Sequence, residues 1–330
     1  MTEKSAVSAP SRSERAGLKA PSDDEVTEGH RCGFVTLFGR SNVGKSTLLN
    51  RLVGEKVAIV SEVPQTTRRR LTGIRNHPDA QVIYVDTPGI HKPRFVMNQR
   101  MVASAMASLE GIDLVLIMVD GSTGIGPGDR FVMEVVRKRE LPTLVLLNKI
   151  DLMKRDRLLE LTASLAGSDC FDGIVPISAR TGENVDRLEE QIRQRLPPGP
   201  RTFPVDTLTE ASERFLAGET IREKIILNTR QELPHSTAVL VERFHRSQKG
   251  LLEVDALVIV EKESQKAILI GRKGEMMRRI ATSAREEIES RLGEKVFLQV
   301  WVKVAPRWRM DKRFLDQMDV QEGMRPGVST

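Results

Sequence analysis

Cysteine is almost absent from this chain of 330 residues, which contains only Cys32 and Cys170. Two distant cysteines, with no further cysteine or histidine at metal-binding spacing, argue against a disulfide framework and a zinc site. Long apolar runs are also absent, which argues against an integral membrane protein. No apolar signal segment for secretion precedes residue 30, and the acidic residues there disfavour a transit peptide. We therefore expect a cytoplasmic protein.

A strong net charge is lacking too, because 51 Lys and Arg stand against 45 Asp and Glu, for a formal net charge of +6. This mild excess does not by itself indicate a polyanionic partner. Between Lys266 and Arg313, however, 13 basic residues face only 6 acidic ones. Such a local excess fits a surface that follows a nucleic-acid backbone, although solvated helix faces would give the same count.

Composition and periodicity predict two folded domains between two tails. Residues 1–30 are rich in Ser, Glu, Lys and Pro and predict a disordered tail. Short apolar runs then alternate with longer helical patterns over 31–197, which predicts a doubly wound, mostly parallel α/β sheet. These apolar runs lie at 34–38, 82–85, 114–119, 144–147 and 174–177. No internal repeat is visible.

Proline and glycine at 197–200 break the chain, so that residues 198–210 are expected to form a linker. The composition changes after this point, and the pattern predicts a small α+β domain over 211–310. Its helices are expected at 220–229 and 275–292, and its strands at 237–244, 252–260 and 296–304. Residues 311–330 carry no motif that we can interpret and are expected to form a C-terminal tail.

A phosphate-binding loop is predicted directly after the first strand. The motif GxxxxGK[ST] is formed by Gly39, Arg40, Ser41, Asn42, Val43, Gly44, Lys45 and Ser46, with a helix expected from about Thr47. Glycines let consecutive main-chain N–H groups turn towards phosphates, and the helix N-terminus adds positive potential. Lys45 is expected to reach the β and γ phosphates and Ser46 to bind Mg²⁺.

A second motif, DxxG, comprises Asp86, Thr87, Pro88 and Gly89 and follows the apolar strand at 81–85. Placed after a phosphate loop, it predicts that Asp86 contributes to the Mg²⁺ shell and that the Gly89 amide senses the γ phosphate. Between the two motifs, Gln65-Thr66-Thr67-Arg68 is expected to be a switch loop. A threonine there would complete the metal shell, and we favour Thr67 over Thr66.

A third motif selects the base. Asn148, Lys149, Ile150 and Asp151 form NKxD at the end of the strand at 144–147. The Asp151 carboxylate can accept hydrogen bonds from N1–H and the N2 amino group of guanine together, whereas adenine offers no such pair of donors. The Lys149 stem is expected to pack on the base, and Ser178-Ala179 to direct a main-chain N–H to the guanine carbonyl.

These motifs predict a GTP- and GDP-binding site with Mg²⁺. We take Lys45, Thr67 and Gly89 as the candidate catalytic residues, and Ser46, Thr67 and Asp86 as the candidate metal ligands. The second domain contains Gly271-Arg272-Lys273-Gly274 before a helix. This GXXG pattern predicts that the backbone approaches an RNA strand, with Arg272 and Lys273 near its phosphates, while the helix that carries Arg278 and Arg279 walls a groove for single-stranded bases. Trp301 and Trp308 are expected to pack in the core or at its rim.

Taken together, GRSNVGKS, QTTR, VDTPGI, NKID, LPPGPRTFPVD, IGRKGEMMRRI and VFLQVWVKV resemble the bacterial Era family over about residues 31–310. The resemblance implies a P-loop GTPase domain followed by a KH domain. It also implies binding to 16S rRNA near its 3′ end, a role in maturation of the 30S ribosomal subunit, and peripheral contact with the inner membrane. We expect no DNA partner.

One position departs from Ras-like proteins, because Ile90 follows the DxxG motif where they carry a water-orienting glutamine. The resemblance therefore implies slow turnover, and Asn42 matches an asparagine that holds K⁺ in some relatives. Two other functions stay open at this point. The chain could be an RNA-binding module whose GTP is structural, or a tRNA-modifying or membrane-signalling GTPase that shares the first domain.

Overall fold

The computed structural model describes residues 29–61, 63, 66–68, 70–89, 96–166, 171–229, 233–248 and 250–321. Residues 1–28 of the predicted tail, together with Gln65, Ile90 and Cys170, lie outside these residues. Contacts group most of the described chain up to Glu210 into a first unit, and the residues from Ala211 into a second.

Strands and helices alternate along the first 210 residues. The elements are β1 (Arg31–Gly39), α1 (Lys45–Val53), β2 (Leu71–Asn76), β3 (Ala80–Asp86), α2 (Val96–Ala107), β4 (Leu114–Asp120), α3 (Pro127–Arg137), β5 (Thr143–Asn148), α4 (Arg155–Ala166), β6 (Gly173–Pro176) and α5 (Val185–Arg195). The strands form one sheet in the order β2-β3-β1-β4-β5-β6. All neighbours are parallel except β2 and β3, which confirms the mostly parallel sheet.

Alternate residues of the central strands bury both faces of this sheet. One face contributes Phe34, Ile83 and Ile117 to a cluster that includes Val132 and Val136 from α3. On the opposite face Tyr84 pairs with Gly73, and Leu49 and Val53 of α1 approach Gly73 closely. Helices therefore cover both faces, as parallel sheets require.

The predicted linker, together with Pro197 before it, is hydrogen-bonded to β1, β2 and β3. The main-chain N–H of Cys32 donates to Pro197 O at 3.1 Å, and that of Ile74 donates to Leu208 O at 2.8 Å. The buried Gln81 side chain accepts from the main-chain N–H of Phe203 at 2.9 Å. Residues 197–209 thus run along β1, β2 and β3, because their backbone groups find partners there.

The second unit is an α+β fold. Its elements are α6 (Glu213–Asn228), α7 (Leu233–Ser236), β7 (Ala238–Arg246), β8 (Leu252–Val260), α8 (Glu263–Ile270), α9 (Glu275–Leu292), β9 (Val296–Val304) and α10 (Lys312–Gln321). The three strands follow the order β7-β8-β9, with β7 antiparallel and β9 parallel to β8. The core joins Val254 and Val258 of β8 to Ile221, Ile280 and Ala284 of the helices.

Part of the predicted C-terminal tail is helical. Leu315 and Met318 of α10 are buried, and their spacing of three residues places both on one helix face. Trp308, which precedes α10, is fully buried and donates its indole N–H to Ser236 O at 3.0 Å. Residues 312–321 of the predicted tail therefore form a helix with a buried face, while 322–330 lie outside the described residues.

Candidate functional site

The phosphate loop joins the end of β1 to the start of α1. Residue Gly44 has a φ of 104°, and a Cβ atom added there would lie 2.3 Å from Nδ2 of Asn148. Only glycine fits this close approach. Gly44 therefore allows α1 to begin at Lys45, which is two residues earlier than we expected.

Lys45 lies at the centre of the loop and is almost completely buried. Its Nζ atom donates to Gly39 O at 3.1 Å and to Arg40 O at 2.7 Å. Burial lowers the pKa of Lys45 to about 8, although the nearby Asp86 carboxylate opposes this shift. Two main-chain carbonyls thus hold a cationic side chain at the position expected to receive phosphates.

Three side chains predicted to bind a metal lie in one hydrogen-bonded cluster. The Ser46 hydroxyl lies 2.7 Å from Thr67 Oγ1 and donates to Asp86 Oδ2 at 2.8 Å. Thr67 donates to the same Asp86 oxygen at 3.2 Å. The structure therefore brings Ser46, Thr67 and Asp86 together although they are distant in sequence.

Asp86 is fully buried. Burial raises its pKa, while Lys45 and the Ser46 and Thr67 hydroxyls oppose the shift. Within the described residues its Oδ1 atom is buried without a hydrogen-bond partner. A buried carboxylate oxygen without a partner is costly, and oxygen donors are the ligands of hard cations such as Mg²⁺. These residues therefore fit the predicted metal.

Thr66 has a different environment from Thr67. Its hydroxyl lies 2.6 Å from Ser61 Oγ and donates to Val63 O at 2.6 Å. Both contacts lie within the loop that carries Thr66. The choice of Thr67 stays a prediction, which its hydrogen bond to Asp86 supports.

The turn after β3 packs on the phosphate loop. A Cβ atom on Gly89 would lie 2.6 Å from Ser41 Oγ and 2.7 Å from the main-chain nitrogen of Ser41. The Thr87 hydroxyl donates to Leu37 O at 2.7 Å, so this side chain fastens β3 to β1 and does not face the nucleotide cleft. Pro88 is buried, and Ile90 lies outside the described residues.

A cleft opens where these loops meet. Eight of the predicted nucleotide-site residues line it, together with four that sequence reasoning had not assigned to that site. The first group is Ser41, Asn42, Gly44, Lys45, Ser46, Thr47, Thr67 and Gly89, and the second is Ile59, Val60, Ser61 and Thr66.

Some predicted residues support the cleft from outside it. The Arg40 guanidinium donates to Asp129 Oδ2 of α3 at 2.9 Å, so the side chain is directed to that helix. Val43 is buried and its carbonyl accepts from Asn148 Nδ2 at 2.7 Å. Ile150 is buried in the core. Their side chains stabilise the loops rather than line the cleft.

The predicted base-reading residues follow β5 and β6. Asn148 is buried, and its Oδ1 atom accepts from the main-chain N–H of Ala179 at 2.8 Å. Asn148 therefore links the phosphate loop to the Ser178 loop. The main-chain N–H of Ser178 donates to Glu183 O at 3.1 Å. Both amides proposed for the guanine carbonyl already have protein acceptors, so that contact requires a shared hydrogen bond.

Lys149 forms an ion pair that sequence reasoning missed. Its Nζ atom lies 2.6 Å from Oδ2 of Asp120. Partial burial acts to raise the pKa of Asp120, but the hydrogen bonds from Lys149 and Ser122 outweigh it and lower this pKa. Asp120 ends β4, beside the end of β5 in the sheet. The sequence did contain a signal for this ion pair, because Asp120 ends an apolar run and the carboxyl ends of parallel strands meet at one edge of the sheet.

The Asp151 carboxylate has two side-chain donors. Ser178 Oγ donates to Oδ1 at 2.6 Å, and Arg180 Nη2 donates to Oδ2 at 2.5 Å. The Ser178 hydrogen bond and the Arg180 charge lower the pKa of Asp151. The carboxylate is therefore ionised at neutral pH, as a receptor for guanine N–H groups must be. Arg180 was not predicted, although it follows Ser178-Ala179 directly.

The GXXG segment connects α8 to α9 in the second unit. Gly271, Lys273 and Gly274 have positive φ angles. Arg272, Lys273, Arg278 and Arg279 are all exposed. The four predicted RNA-contacting cations thus lie in the turn before α9 and in the first turns of that helix, with their charges accessible. The N-terminus of a helix also favours anions.

The two tryptophans differ in burial. Trp308 belongs to the core, as expected, whereas Trp301 on β9 is 46% exposed. Alternate residues of β9 are exposed, so Trp301 lies on the solvent-facing side of this strand. Neither residue is adjacent in sequence to the GXXG segment.

Within the described ranges, every helix is too short or too polar to cross a bilayer. Two family models match the chain. The model described as "50S ribosome-binding GTPase" matches residues 34–149, and the model described as "KH domain" matches residues 232–309. The two predicted domains thus each correspond to a known family.

Two relatives match the chain over most of its length. GTPase Era of Lacticaseibacillus paracasei is 45% identical over 289 residues, which are 88% of this chain and 96% of that protein. GTPase Era of Geobacter metallireducens is 46% identical over 87% of this chain and 97% of its own.

A solved structure gives the same result. A crystal structure of Era in complex with MgGDPNP and nucleotides 1506–1542 of 16S ribosomal RNA has a TM-score of 0.85 and 38% identity. The match covers 88% of this chain and 98% of that one. The chain therefore belongs to the Era family of GTPases.

Proposed function

We propose that the first unit binds GTP with Mg²⁺ and hydrolyses it to GDP and phosphate through the residues of the cleft. The convergence of Ser46, Thr67 and Asp86, with one buried Asp86 oxygen left without a partner, carries this proposal. These three residues would hold the metal, and Mg²⁺ would neutralise charge on the phosphate oxygens. The Era relative above contains MgGDPNP, which supports the assignment.

The protein's own part in the reaction is to position the phosphates. Lys45 and the main-chain N–H groups after Gly39 would bind the β and γ phosphates. Water would attack the γ phosphorus while the bond to the β–γ bridging oxygen breaks, releasing GDP and phosphate. Gly89 packs closely on the phosphate loop at Ser41, which supports the proposal that its amide responds to the γ phosphate.

Turnover is proposed to be slow. The side chains that line the described cleft are hydroxyls, aliphatic groups, Asn42 and Lys45, and the adjacent Asp86 carboxylate is assigned to the metal. A general base contributes typically 10²- to 10⁴-fold to a rate. Hydrolysis would therefore depend on electrostatic stabilisation and on water held by hydroxyl or main-chain groups.

A phosphate-release assay separates a GTPase from an RNA-binding protein with structural GTP. Lys45→Ala removes the buried cation and should abolish release, while wild-type protein should release phosphate over many turnovers. Release below one equivalent by the wild type, with GTP still bound, would favour structural GTP.

Asp151 is proposed to select guanine. Asp151→Asn replaces an acceptor by an amide that can donate to the C2 carbonyl of xanthine, so preference should shift from GTP to XTP. Loss of hydrogen bonds to a charged group costs about 1.5–3 kcal/mol, which corresponds to a roughly 10- to 100-fold weaker GTP affinity. Unchanged GTP affinity would exclude Asp151 as the base receptor.

Potassium is proposed to assist hydrolysis through Asn42. Asn42 is exposed at the cleft with a φ of 63°, so a cation can reach its side chain. Turnover should be faster in KCl than in NaCl at equal ionic strength, and Asn42→Ala should remove the difference. Equal rates of the wild type in both salts would exclude this role.

The second unit is proposed to bind 16S rRNA near its 3′ end and to act in 30S subunit maturation. The exposed cations beside the GXXG turn support RNA binding, and the Era relative is complexed with 16S rRNA. The family model that names the 50S subunit covers only residues 34–149. The rRNA complex covers both units, so we favour the small subunit over the large one.

Charge reversal tests this interface. Arg272→Glu with Lys273→Glu should abolish binding to a 16S 3′-end RNA and leave GTP affinity unchanged. Lys154→Glu with Arg155→Glu makes the same charge change at exposed positions of the first unit and should preserve RNA binding. Equal effects of both pairs would mean that net charge, not the GXXG turn, determines affinity.

We further propose a cytoplasmic protein whose membrane contact, if present in cells, is peripheral. Crosslinking and sequencing of bound RNA would distinguish rRNA from tRNA, and single-stranded DNA should compete poorly because RNA readers use the 2′-hydroxyl. The KH-family match over 232–309 disfavours a tRNA-modifying or membrane-signalling GTPase.

A further inference from the structure

The guanidinium of Arg180 occupies the carboxylate that is proposed to read the base. Its Nη2 atom lies 2.5 Å from Oδ2 of Asp151. The Asp151 side chain is only 11% exposed, whereas that of Arg180 is 71% exposed. The buried partner is therefore fixed, while the partner that covers it lies at the surface and can move.

The chemistry of Arg180 resembles that of the proposed ligand. The N1–C2–N2 edge of guanine is a planar guanidine-type group that directs two N–H donors to one carboxylate. An arginine guanidinium is also planar and presents N–H donors in a fork that matches a carboxylate. Arg180 and guanine thus offer Asp151 the same kind of hydrogen bond.

The backbone that carries Arg180 is held in place. Arg51 of α1 donates from Nε to Ala179 O at 2.8 Å and from Nη2 to Arg180 O at 2.6 Å. Within the same loop the Gly182 N–H donates to Ser178 O at 2.8 Å. Because the main chain is fixed at both carbonyls, Arg180 can leave Asp151 by side-chain rotation without opening the loop.

We propose that Arg180 competes with the guanine base for Asp151, so that the Arg180–Asp151 ion pair closes the base site and opens when nucleotide enters. This inference rests on the proposed guanine-reading role of Asp151. Arg180 is then an affinity-setting residue that acts against binding, in contrast to Lys45 and Ser46, which promote it.

The expected effect is small because one partner is largely solvated. Solvent-exposed ion pairs of this kind shift an equilibrium by up to about fivefold. The apparent affinity for nucleotide is the affinity of the open site multiplied by the fraction of sites that are open. A closed state populated to this extent therefore weakens the apparent affinity. Arg180→Gln, which keeps a long polar side chain without the charge, should therefore bind GDP about two- to fivefold more tightly than the wild type.

Calorimetry of the full chain tests the competition with two ligands. GDP engages the base site and the phosphate loop, whereas inorganic triphosphate engages only the phosphate loop. Arg180→Gln should gain affinity for GDP but not for triphosphate. The gain should shrink as NaCl rises from low to high concentration, because screening already weakens the wild-type pair. Arg187→Gln, an exposed arginine on α5, should gain affinity for neither ligand.

Equal or weaker GDP binding by Arg180→Gln would overturn the competition, as would an equal gain for triphosphate. The Asp151→Asn variant distinguishes a failure of the competition from a failure of the base-reading role. If Asp151→Asn weakens GDP binding while Arg180→Gln has no effect, only the competition is wrong. If Asp151→Asn leaves GDP affinity unchanged, the base-reading role fails as well. In the double variant, Arg180→Gln should add no gain to Asp151→Asn, because the two residues act as one pair.

Discussion

At the residue scale, the nucleotide site is made of short polar contacts between segments that are distant in sequence. Motif spacing predicted both Ser46 and Asp86. Ser46 lies at the start of a helix and Asp86 at the end of a buried strand, each within a fixed pattern. Asp120, Arg51 and Arg180 were missed, since their partners are set by tertiary packing and no local pattern marks them. The distinction between Thr66 and Thr67 also depends on packing, because both are threonines in one loop.

Substitution of the two threonines gives a matched test. Thr67→Ala removes a hydroxyl that donates to Asp86, and should raise the Mg²⁺ concentration needed for half-maximal phosphate release by roughly 10-fold or more. Thr66→Ala loses contacts to Ser61 and Val63, which should cost about 1 kcal/mol of loop stability and leave the Mg²⁺ requirement nearly unchanged. The opposite ranking in a Mg²⁺ titration would assign the metal to Thr66.

His77 gives a prediction about stability and pH. Burial, followed by the charges of Arg193 and Arg75, lowers the pKa of His77, while Asp79 opposes the shift. Its Nε2 atom is buried without a hydrogen-bond partner in the described chain. A histidine with a depressed folded-state pKa binds protons more readily when unfolded. Its stabilising contribution is therefore present above about pH 6.5 and is lost as the pH falls through the folded-state pKa.

Urea unfolding at about pH 7.5 and about pH 5.5 measures this contribution, because the two values lie on either side of the unfolded-state pKa. His77→Gln cannot be protonated, so the variant should lose less free energy of unfolding than the wild type between the two pH values. An equal loss in the wild type and in His77→Gln would contradict the assignment.

At the scale of elements, the buried strands were easier to predict from the sequence than the edge strand and the helix whose positions depend on tertiary packing. The buried strands β3 to β5 are continuous apolar runs, which is typical of parallel strands covered on both faces. Strand β2 was missed because Leu71–Asn76 is short, polar and contains glycine, and its pairing with β3 comes from the edge of the sheet. Helix α10 was missed because its burial depends on packing in the second unit.

The phosphate loop depends on the close packing of Gly44 on Asn148. Gly44→Ala would place a Cβ atom 2.3 Å from Asn148 Nδ2, so the loop must move and GTP affinity should fall by at least about tenfold, the equivalent of one lost hydrogen bond. Gly293→Ala also changes a glycine with positive φ, but nothing lies within 4 Å of its added Cβ.

The Gly293 variant should lose roughly 1 kcal/mol of stability and retain GTP affinity. Comparison of nucleotide titrations with unfolding curves for both variants separates close packing from backbone strain. Normal GTP affinity in Gly44→Ala would show that the loop tolerates a methyl group.

At the scale of the whole molecule, the two units were predicted from composition and from the Pro-rich break near residue 198. Local composition could not show that residues 197–209 pair with β1, β2 and β3, because those partners are more than 100 residues away in sequence. The domain boundaries proposed from the sequence remain a prediction. The contacts group residues 198–210 with the first unit, which then extends to Glu210.

Two fragments test this boundary. A fragment of residues 29–210 keeps the contacts of Phe203 and Leu208 and should bind GTP with near full-length affinity. A fragment of residues 29–197 loses several hydrogen bonds, each worth about 1 kcal/mol, and should unfold at lower urea concentration. Equal unfolding midpoints for the two fragments would show that residues 198–210 act only as a linker.

Calorimetric titration of the folded chain with GTP and with ATP, in the presence of Mg²⁺, tests directly whether the site selects guanine. The phosphate groups of the two ligands are identical, so any difference reports the base site at Asp151. We predict that GTP binds and that ATP binds at least about 100-fold more weakly. Equal affinity for both nucleotides, or binding of neither by folded protein, would contradict the account.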